Sequence, residues 1–507
     1  MNYNSMLKET KNILNHEGAK AYAMTPELEL YTAVVTASLT DKFYERSDER
    51  VARIVQLIRR VSPEFVARLA VYARTQMYLR SIPLFLLVEL VKVHNGDDLV
   101  ARAVEKTVLR ADEIMELLMC YQWRNPSADA RKKLGKLSRQ IQNGLQRAFN
   151  RFDEYQFAKY DRDNLEVKLR DALFLVHPKP KDEQQQALFD KIANRQLATP
   201  YTWETELSAL GQQTFETAEQ KKEAFRSKWE ELIGSGQLGY MALMRNLRNM
   251  LQADVSVEEM QMVERKLTDP VQVARSKQLP FRFLSAYREI GHVNSVSTTL
   301  MLNALEEAVR ASAANIEGFG ESTRVLLASD VSGSMWSSVS PRSTVRNFDI
   351  GLLLAMLLKN RCQQVISGIF GNEWKVVNMP ADNILMATRQ LERLEGSVGY
   401  STNGYKVLRW LIENNMVMDK VMMFTDMQMW DSTFGQKSFE DYWLHYKRIA
   451  PDAKLYLFDL AGYGQLPMRM PAQDVYLIAG WSDRIFDVLS AIERGGDALE
   501  QINQIEL

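Results

Sequence analysis

A change of periodicity near residue 318 restricts the fold of this chain more than any other feature. Before it, apolar residues recur at spacings of three and four; after it, short apolar runs alternate with helical segments. The stretches 51–60, 64–78, 82–93, 99–109 and 113–119 carry the helical repeat. Two helix starts are marked by proline, in Ser62-Pro63 and Ser81-Ile82-Pro83. The first helical turn tolerates it because the missing N–H would have no partner there. Helices of roughly 10–15 residues joined by short turns predict an α-solenoid of stacked helix pairs.

The second part opens with Arg324-Val325-Leu326-Leu327-Ala328-Ser329-Asp330, an apolar run ending in an acid. A Ser- and Gly-rich stretch follows, then an apolar helix over 345–358. Further apolar runs lie at 365–370, 420–426, 454–459 and 475–479, with helical segments at 404–414, 439–448 and 485–494. Buried strands alternating with helices predict a doubly wound α/β domain, a parallel sheet covered on both faces. Its ligand site is expected at the carboxyl ends of the strands. The boundary is expected within 315–321, which divides the chain into 1–318 and 319–507.

Composition narrows the function classes. Lys and Arg number 63 against 64 Asp and Glu, a net charge of −1, which excludes a strongly basic nucleic-acid coat but not a local basic surface. Residues 1–320 hold 45 basic against 42 acidic side chains and residues 321–507 hold 18 against 22, so the helical part is the more basic one. Cys120 and Cys362 are the only cysteines, which excludes a disulfide scaffold and a Cys-based zinc site and favours a reducing compartment. No apolar run approaches the ~20 residues of a membrane span. The polar first ten residues lack the apolar core of a secretory signal. The expectation is a soluble cytoplasmic protein.

Asp330-Val331-Ser332-Gly333-Ser334 directly follows the first strand of the second part. Asp330, Ser332 and Ser334, at alternating positions, can turn three oxygens toward one point. Thr402 precedes the helix near 404, and Asp426 ends the run 420–426, so three loops at strand carboxyl ends could converge on one ion. Hard cations such as Mg²⁺ take oxygen ligands of this kind. The competing reading is that Ser and Asp here only cap helices and build turns. The order and context of Thr402 and Asp426 favour the cation. The set resembles the metal-ion-dependent adhesion site of von Willebrand factor A domains, and Asp330, Ser332, Ser334, Thr402 and Asp426 match each position of that motif. The resemblance implies one divalent cation, most simply Mg²⁺, with a position open for a partner's acidic group.

Catalytic patterns are missing from the sequence. There is no Gly-x-Ser-x-Gly elbow and no Walker A loop. The histidines His16, His94, His177, His292 and His445 are scattered without zinc-ligand spacing. The reading is a binding protein, not an enzyme.

Between 131 and 151 stand seven basic residues and no acid: Arg131, Lys132, Lys133, Lys136, Arg139, Arg147 and Arg151. Such a stretch can track a phosphate backbone, and it can equally be a solvated helix face. Lys168, Arg170, His177 and Lys179 follow, with Phe149, Phe152, Tyr155, Phe157 and Tyr160 interleaved. Aromatic faces can stack bases, although aromatics at helical spacing more often fill a core. Arg245 and Arg248 lie three apart on one helix face. They suit either RNA contact or a network between helices. The stretch 275–282 could line a cavity. Met422, Met423, Met427 and Met429 read as core.

Several stretches resemble the TROVE domain of the Ro autoantigen family. They are Asn15-His16-Glu17-Gly18-Ala19; Ala73-Arg74 with Leu79-Arg80-Ser81-Ile82-Pro83; Phe152-Asp153-Glu154-Tyr155-Gln156-Phe157-Ala158-Lys159-Tyr160; Val167-Lys168-Leu169-Arg170-Asp171 leading to His177-Pro178-Lys179-Pro180; Met244-Arg245-Asn246-Leu247-Arg248-Asn249-Met250; residues 275–284; and Asp330 to Met335. The resemblance implies a monomeric ring of HEAT-like helical repeats closed by a von Willebrand factor A domain. It implies a small noncoding Y-like RNA on the outer surface and single-stranded ends of misfolded or immature RNAs in the central hole. Quality control, processing or decay of noncoding RNA would follow, with an exoribonuclease or another protein as a partner. Arg170 and His177 match family positions of the outer surface, while Phe174 stands where animal members carry a second basic residue. The alternative is a metal-dependent docking adaptor that uses the A domain and no RNA.

Overall fold

A computed structural model describes the chain except residues 1–11, 37–45, 127–135, 163–164, 279, 313–321, 340–342, 363, 380–381, 392–393, 395, 431–436, 471, 473, 481–484 and 494–496. Arg131, Lys132, Lys133 and the expected boundary at 315–321 lie outside the described residues. Contacts group the chain into two compact units: Met1–Val51 with Phe215–Ala498, and Ala52–Thr214 with Leu499–Leu507.

The unit Ala52–Thr214 is helical. Helices Pro63–Thr75, Ser81–Val93, Leu99–Thr107, Ala111–Arg124, Arg139–Phe149, Glu154–Tyr160, Leu169–Val176 and Glu183–Asn194 follow one another along the chain. Most of them pack on a helix next but one in the chain, and several also on the next. That is the contact pattern of stacked helix pairs. Where Leu99–Thr107 meets Arg139–Phe149, a Cβ on Gly144 would lie 2.5 Å from Val104 Cβ and 2.7 Å from Ala101 O, so only glycine allows this approach. A buried ion pair ties the early helices: Arg74 contacts Glu113 at 2.8 Å, and Glu113 also accepts the Leu109 and Arg110 N–H groups at 2.8 and 3.1 Å. Burial pushes the Glu113 carboxyl up, and the Arg74 charge pulls it back.

The other unit holds a mixed six-stranded sheet. Numbered along the chain, the strands are β1 Asn12–Leu14, β2 Lys20–Ala23, β3 Arg324–Asp330, β4 Gln364–Phe370, β5 Trp374–Val376, β6 Lys420–Thr425, β7 Lys454–Asp459, β8 Gln465–Leu466 and β9 Val475–Ala479. The large sheet runs β5-β4-β3-β6-β7-β9, parallel throughout except for β5 on β4. One face presents Leu326, Ala328, Val421, Met423, Leu455 and Leu457 to helices Tyr405–Glu413 and Phe439–Ile449. Helix Asn347–Arg361 packs on β3, β4 and β6. Met422, Met423, Met427 and Met429 are all buried. The chain leaves β3 toward β4 and returns to β6 on the other side of β3. That reversal opens a crevice at the carboxyl ends of β3 and β6. Helices Tyr240–Gln252, Val257–Thr268, Pro280–Ile290 and Thr298–Ser312 belong to the same unit.

The described N-terminus departs from the helical pattern expected for the first part. Strands β1 and β2 form an antiparallel hairpin, and β8 pairs with β2. Tyr22 and Met24 enter the core beside Met468 and Leu466. Arg50, 1% exposed, donates to Ala461 O at 2.6 Å. Residues 12–51 are thus built into the unit that holds the sheet.

Candidate cation site and basic surfaces

The five oxygen-bearing residues singled out from the sequence all lie at the sheet crevice. Asp330 is the last residue of β3, and Asp426 follows the last residue of β6. Asp330, Ser332, Ser334, Thr402 and Asp426 are all buried. Asp330 Oδ1 accepts the Ser332 N–H at 2.9 Å, and its Oδ2 accepts the Thr425 hydroxyl at 2.6 Å. The Ser332 and Ser334 hydroxyls lie 3.4 Å apart. The Thr402 loop is tied in by backbone bonds: Gly333 N–H to Tyr400 O at 3.0 Å, Asn403 N–H to Gly371 O at 2.9 Å, and Trp430 N–H to Thr402 O at 2.8 Å. Gly399 takes φ +73°, and a Cβ there would collide with Asn372, so the loop turns at glycine.

The electrostatics are those of a site short of positive charge. Asp426 Oδ1 accepts the Gln428 N–H at 3.1 Å, while its buried Oδ2 has no hydrogen-bond partner among the described residues. Burial pushes the Asp330 carboxyl up to about 6, against the pull of Ser332 and Thr425. Burial and then the Asp330 charge push the Asp426 carboxyl up to about 7, against the pull of Ser334. A buried acceptor without a partner is rare in a native fold, and two buried carboxylates that sense each other's charge disfavour each other's ionisation. Among the described residues no group of three or more His, Cys, Asp and Glu side chains is placed to hold a metal. A cation at this point would have two carboxylates and three hydroxyls to draw on. That all-oxygen set is what Mg²⁺ or another hard cation takes, so the residues fit the group.

Some of the basic residues are held in ion pairs, and others stand at the surface. Arg147 and Arg151 both meet Glu105, at 3.1 and 3.3 Å. Lys136, Arg139, Arg170, His177 and Lys179 are exposed, Lys168 is half-buried, and the Arg170 guanidinium lies 5.5 Å over the exposed Phe174 ring. His177 ends helix Leu169–Val176 in the left-handed conformation, φ +50°. Amides of helix Arg139–Phe149 pin the loop beyond it. Gln146 Nε2 donates to Val176 O and His177 O at 2.9 and 3.1 Å, and Asn150 Nδ2 donates to Lys179 O at 2.8 Å.

In the sheet-bearing unit, Arg245 and Arg248 are both exposed on helix Tyr240–Gln252. Arg248 is paired with Glu289. Asn246 is buried and bonds Ala242 O and Asn249 within the helix, a structural role. Arg245 stands close enough to Arg282 for the two charges to repel. A cleft of about 890 Å³ runs beside them, lined among others by Arg248, Tyr287, Arg288, His292, Trp336 and Arg346. The Arg346 guanidinium sits 4.4 Å from the Trp336 ring centre, and Arg288 grips Asp349 at 2.7 and 2.9 Å. The sequence reading missed Trp336, Tyr287 and Arg346. The signal available was that Trp336 follows Ser334 by two residues, on the same short turn Gly333–Trp336.

Known proteins resemble this chain in three ways. The sequence model of the TROVE domain matches residues 32–223 and 194–317, together more than half of the chain. The crystal structure of the Ro (RSR) protein of Deinococcus radiodurans is similar over 93% of this chain and 100% of that one, with a TM-score of 0.60 and 18% identity, which establishes the likeness of fold. Two curated relatives are named "Telomerase protein component 1": that of Mus musculus is 39% identical over 94 residues, 18% of this chain, and that of Rattus norvegicus is 36% identical over 99 residues, 20% of this chain. The chain spans 3% of the length of each of those proteins. With the domain match covering most of the helical sequence, the chain belongs to the TROVE-domain (Ro) family.

Proposed function

We propose that this protein binds a small noncoding, Y-like RNA through Arg170, His177 and Lys179, and single-stranded ends of misfolded or immature RNAs in the hole of a helical ring. It would act in quality control, processing or decay of noncoding RNA, as a binder and not as an enzyme. Family membership supports the coarse reading, because TROVE proteins are RNA-binding ribonucleoproteins. One observation carries the finer one. The loop after helix Leu169–Val176 is held by side-chain amides, leaving His177 and Lys179 exposed beside exposed Arg170. A rigid backbone that displays cations suits phosphate contact, which positions RNA without reading sequence. Phe174 beside Arg170 offers a stacking face in place of a second charge. For single-stranded ends, the cleft with Trp336 and Arg346 supplies an aromatic face and a cation together.

The test is RNA affinity against salt for the full chain and for Arg170→Ala/Lys179→Ala. Phosphate-dominated binding to a single strand loses about 0.7 in log–log slope per neutralised phosphate. The double variant should bind more weakly and lower the slope by about 1.4, two phosphates at that value. Binding that ignores salt, or a variant that binds like the parent, contradicts the reading.

A second reading concerns the crevice of the sheet, and the orphaned Asp426 Oδ2 favours it. In it the sheet-bearing part is a von Willebrand factor A-like domain whose Asp330, Ser332, Ser334, Thr402 and Asp426 hold Mg²⁺. The bound ion would offer a docking point for a protein partner's Asp or Glu, an exoribonuclease being one kind of partner. Calorimetric titration with Mg²⁺ tests it: wild type should bind and Asp330→Ala should not. No heat from wild type would contradict it.

A further inference from the structure

A stripe of three amide side chains runs along helix Arg139–Phe149 and its cap. Gln142, Gln146 and Asn150 stand four residues apart, so they share one face of that helix. All three are half-buried, and none carries a charge. What they meet is backbone. Helix Leu169–Val176 ends at His177, whose N–H still bonds Leu173 O at 2.9 Å. A helix end leaves its last carbonyls without N–H partners. The usual closure draws an N–H from the residue beyond the cap, and here that residue is Pro178, which has none. The amides fill the gap. Gln142 Nε2 donates to Leu175 O and Val176 O at 3.5 and 3.1 Å, and Gln146 Nε2 donates to Val176 O and His177 O at 2.9 and 3.1 Å. Asn150 clamps the far side of the loop. Its Nδ2 donates to Lys179 O at 2.8 Å, its Oδ1 accepts the Lys181 N–H at 3.0 Å, and its own carbonyl accepts Lys181 Nζ at 2.9 Å. The Lys181 ammonium is thus turned onto the protein, while the side chains of His177 and Lys179 are exposed. Pro178 and Pro180 fix two further backbone torsions between the clamps.

We propose that Gln146 and Asn150 are positioning residues for RNA: they fix the loop so that His177 and Lys179 meet phosphates without first ordering the chain. The proposal rests on the RNA reading of this surface and deepens it. Neither amide is an RNA ligand. Each acts through the cation whose carbonyl it holds, Gln146 through His177 and Asn150 through Lys179. Ordering a loop on binding subtracts from affinity, and a loop ordered beforehand avoids that loss. Because the amides are neutral, an effect of Asn150 on the salt dependence of binding can arise only through the cation it holds.

The experiment uses the full chain and a fluorescently labelled single-stranded oligouridylate, with affinity read by anisotropy over a salt series. Wild type is compared with Asn150→Ala, Gln146→Ala, Lys179→Ala and the double variant Lys179→Ala/Asn150→Ala. Gln186→Ala is the control, an exposed amide that bonds Asp190 within helix Glu183–Asn194. Asn150→Ala should bind about tenfold more weakly, the equivalent of re-ordering about one residue of backbone. It should also lower the log–log salt slope by about 0.7, one phosphate, as Lys179→Ala does. In the double variant the slope should match Lys179→Ala alone, since one residue acts through the other. Gln146→Ala should weaken binding, and Gln186→Ala should match wild type. Amide hydrogen exchange at Lys179 and Lys181 should quicken in Asn150→Ala. A variant that merely folds less well shows fewer binding sites at the wild-type slope, which separates positioning from stability. Asn150→Ala with wild-type affinity and slope, beside a lowered slope in Lys179→Ala, overturns the proposal and leaves the RNA surface standing. An equal loss in Gln186→Ala overturns it as well. Binding by wild type that ignores salt, or a Lys179→Ala variant like the parent, overturns both.

Discussion

The oxygen cluster at the sheet crevice and the basic loop of the helical unit are both rich in charge, but they differ in what holds that charge in place. Asp330 and Asp426 are fully buried, and the carboxylates are fixed by the Ser332 and Gln428 N–H groups of the loops after β3 and β6 and by the Thr425 hydroxyl at the end of β6. Arg170, His177 and Lys179 are in water, and what is fixed is the backbone beneath them, by helix Leu169–Val176 and by the amides of Gln146 and Asn150. Burial makes charge expensive unless something compensates it. The crevice therefore carries a specific demand, whereas the surface carries a capacity that depends on a partner. A buried polar pattern points to its ligand class, and an exposed one points only to a sign of charge.

Breaking the buried cluster should give the largest effect. Asp426→Asn keeps the shape but removes one of two carboxylates, and divalent-cation affinity should fall at least about a hundredfold, beyond what outer-shell changes cost. Calorimetry with Mg²⁺ checks this; unchanged affinity would place the ion elsewhere. Next comes the buried pair in the helical unit. Arg74→Ala leaves Glu113 buried and uncompensated, and should destabilise that unit by about 3–5 kcal/mol. Urea unfolding followed by a probe in residues 52–214 measures it, and a change under 1 kcal/mol would show, against the about 3–5 kcal/mol expected, that the pair is not needed.

A pH series sharpens the same comparison. Asp330 and Asp426 hold their protons more tightly folded than unfolded, up to about 6 and about 7. A raised carboxylate favours the folded state below its unfolded value, near 4, and that contribution is lost as pH rises toward the folded values. In chelator, stability should therefore fall between pH 5 and pH 8, and Mg²⁺ should offset the fall. The gain in melting temperature from Mg²⁺ should be larger at pH 8 than at pH 5; an equal gain at both would break the link between the cation and these carboxylates. The smallest effect belongs to the exposed, already paired Arg147. Arg147→Ala should change stability by less than about 1 kcal/mol and leave RNA affinity near the parent value, which filter binding would check.

Much of this is legible in the sequence. Strands β3, β6, β7 and β9 are buried on both faces, so each shows as an unbroken apolar run, and the oxygen residues fall at their ends. Helix starts at Pro63 and Ser81 follow from capping and proline chemistry, and Ser62 does accept the Phe65 N–H. What stayed hidden depends on distant pairing. The pairing of β2 with β8 joins residues more than 400 positions apart, and short strands such as Gln465–Leu466 have no periodicity to show. For Arg147 and Arg151 the sequence left phosphate contact and an acid-balanced helix face equally open, because the acid that decides between them, Glu105, is supplied by another helix.

RNA recovered with the native protein is the most direct measure of the central claim. The chain is purified gently from its own host and the accompanying RNA is sequenced, beside an Arg170→Ala/His177→Ala variant. A discrete small RNA that is present with the parent and lost from the variant is the predicted result. Bulk RNA or none, alike in both samples, would contradict it.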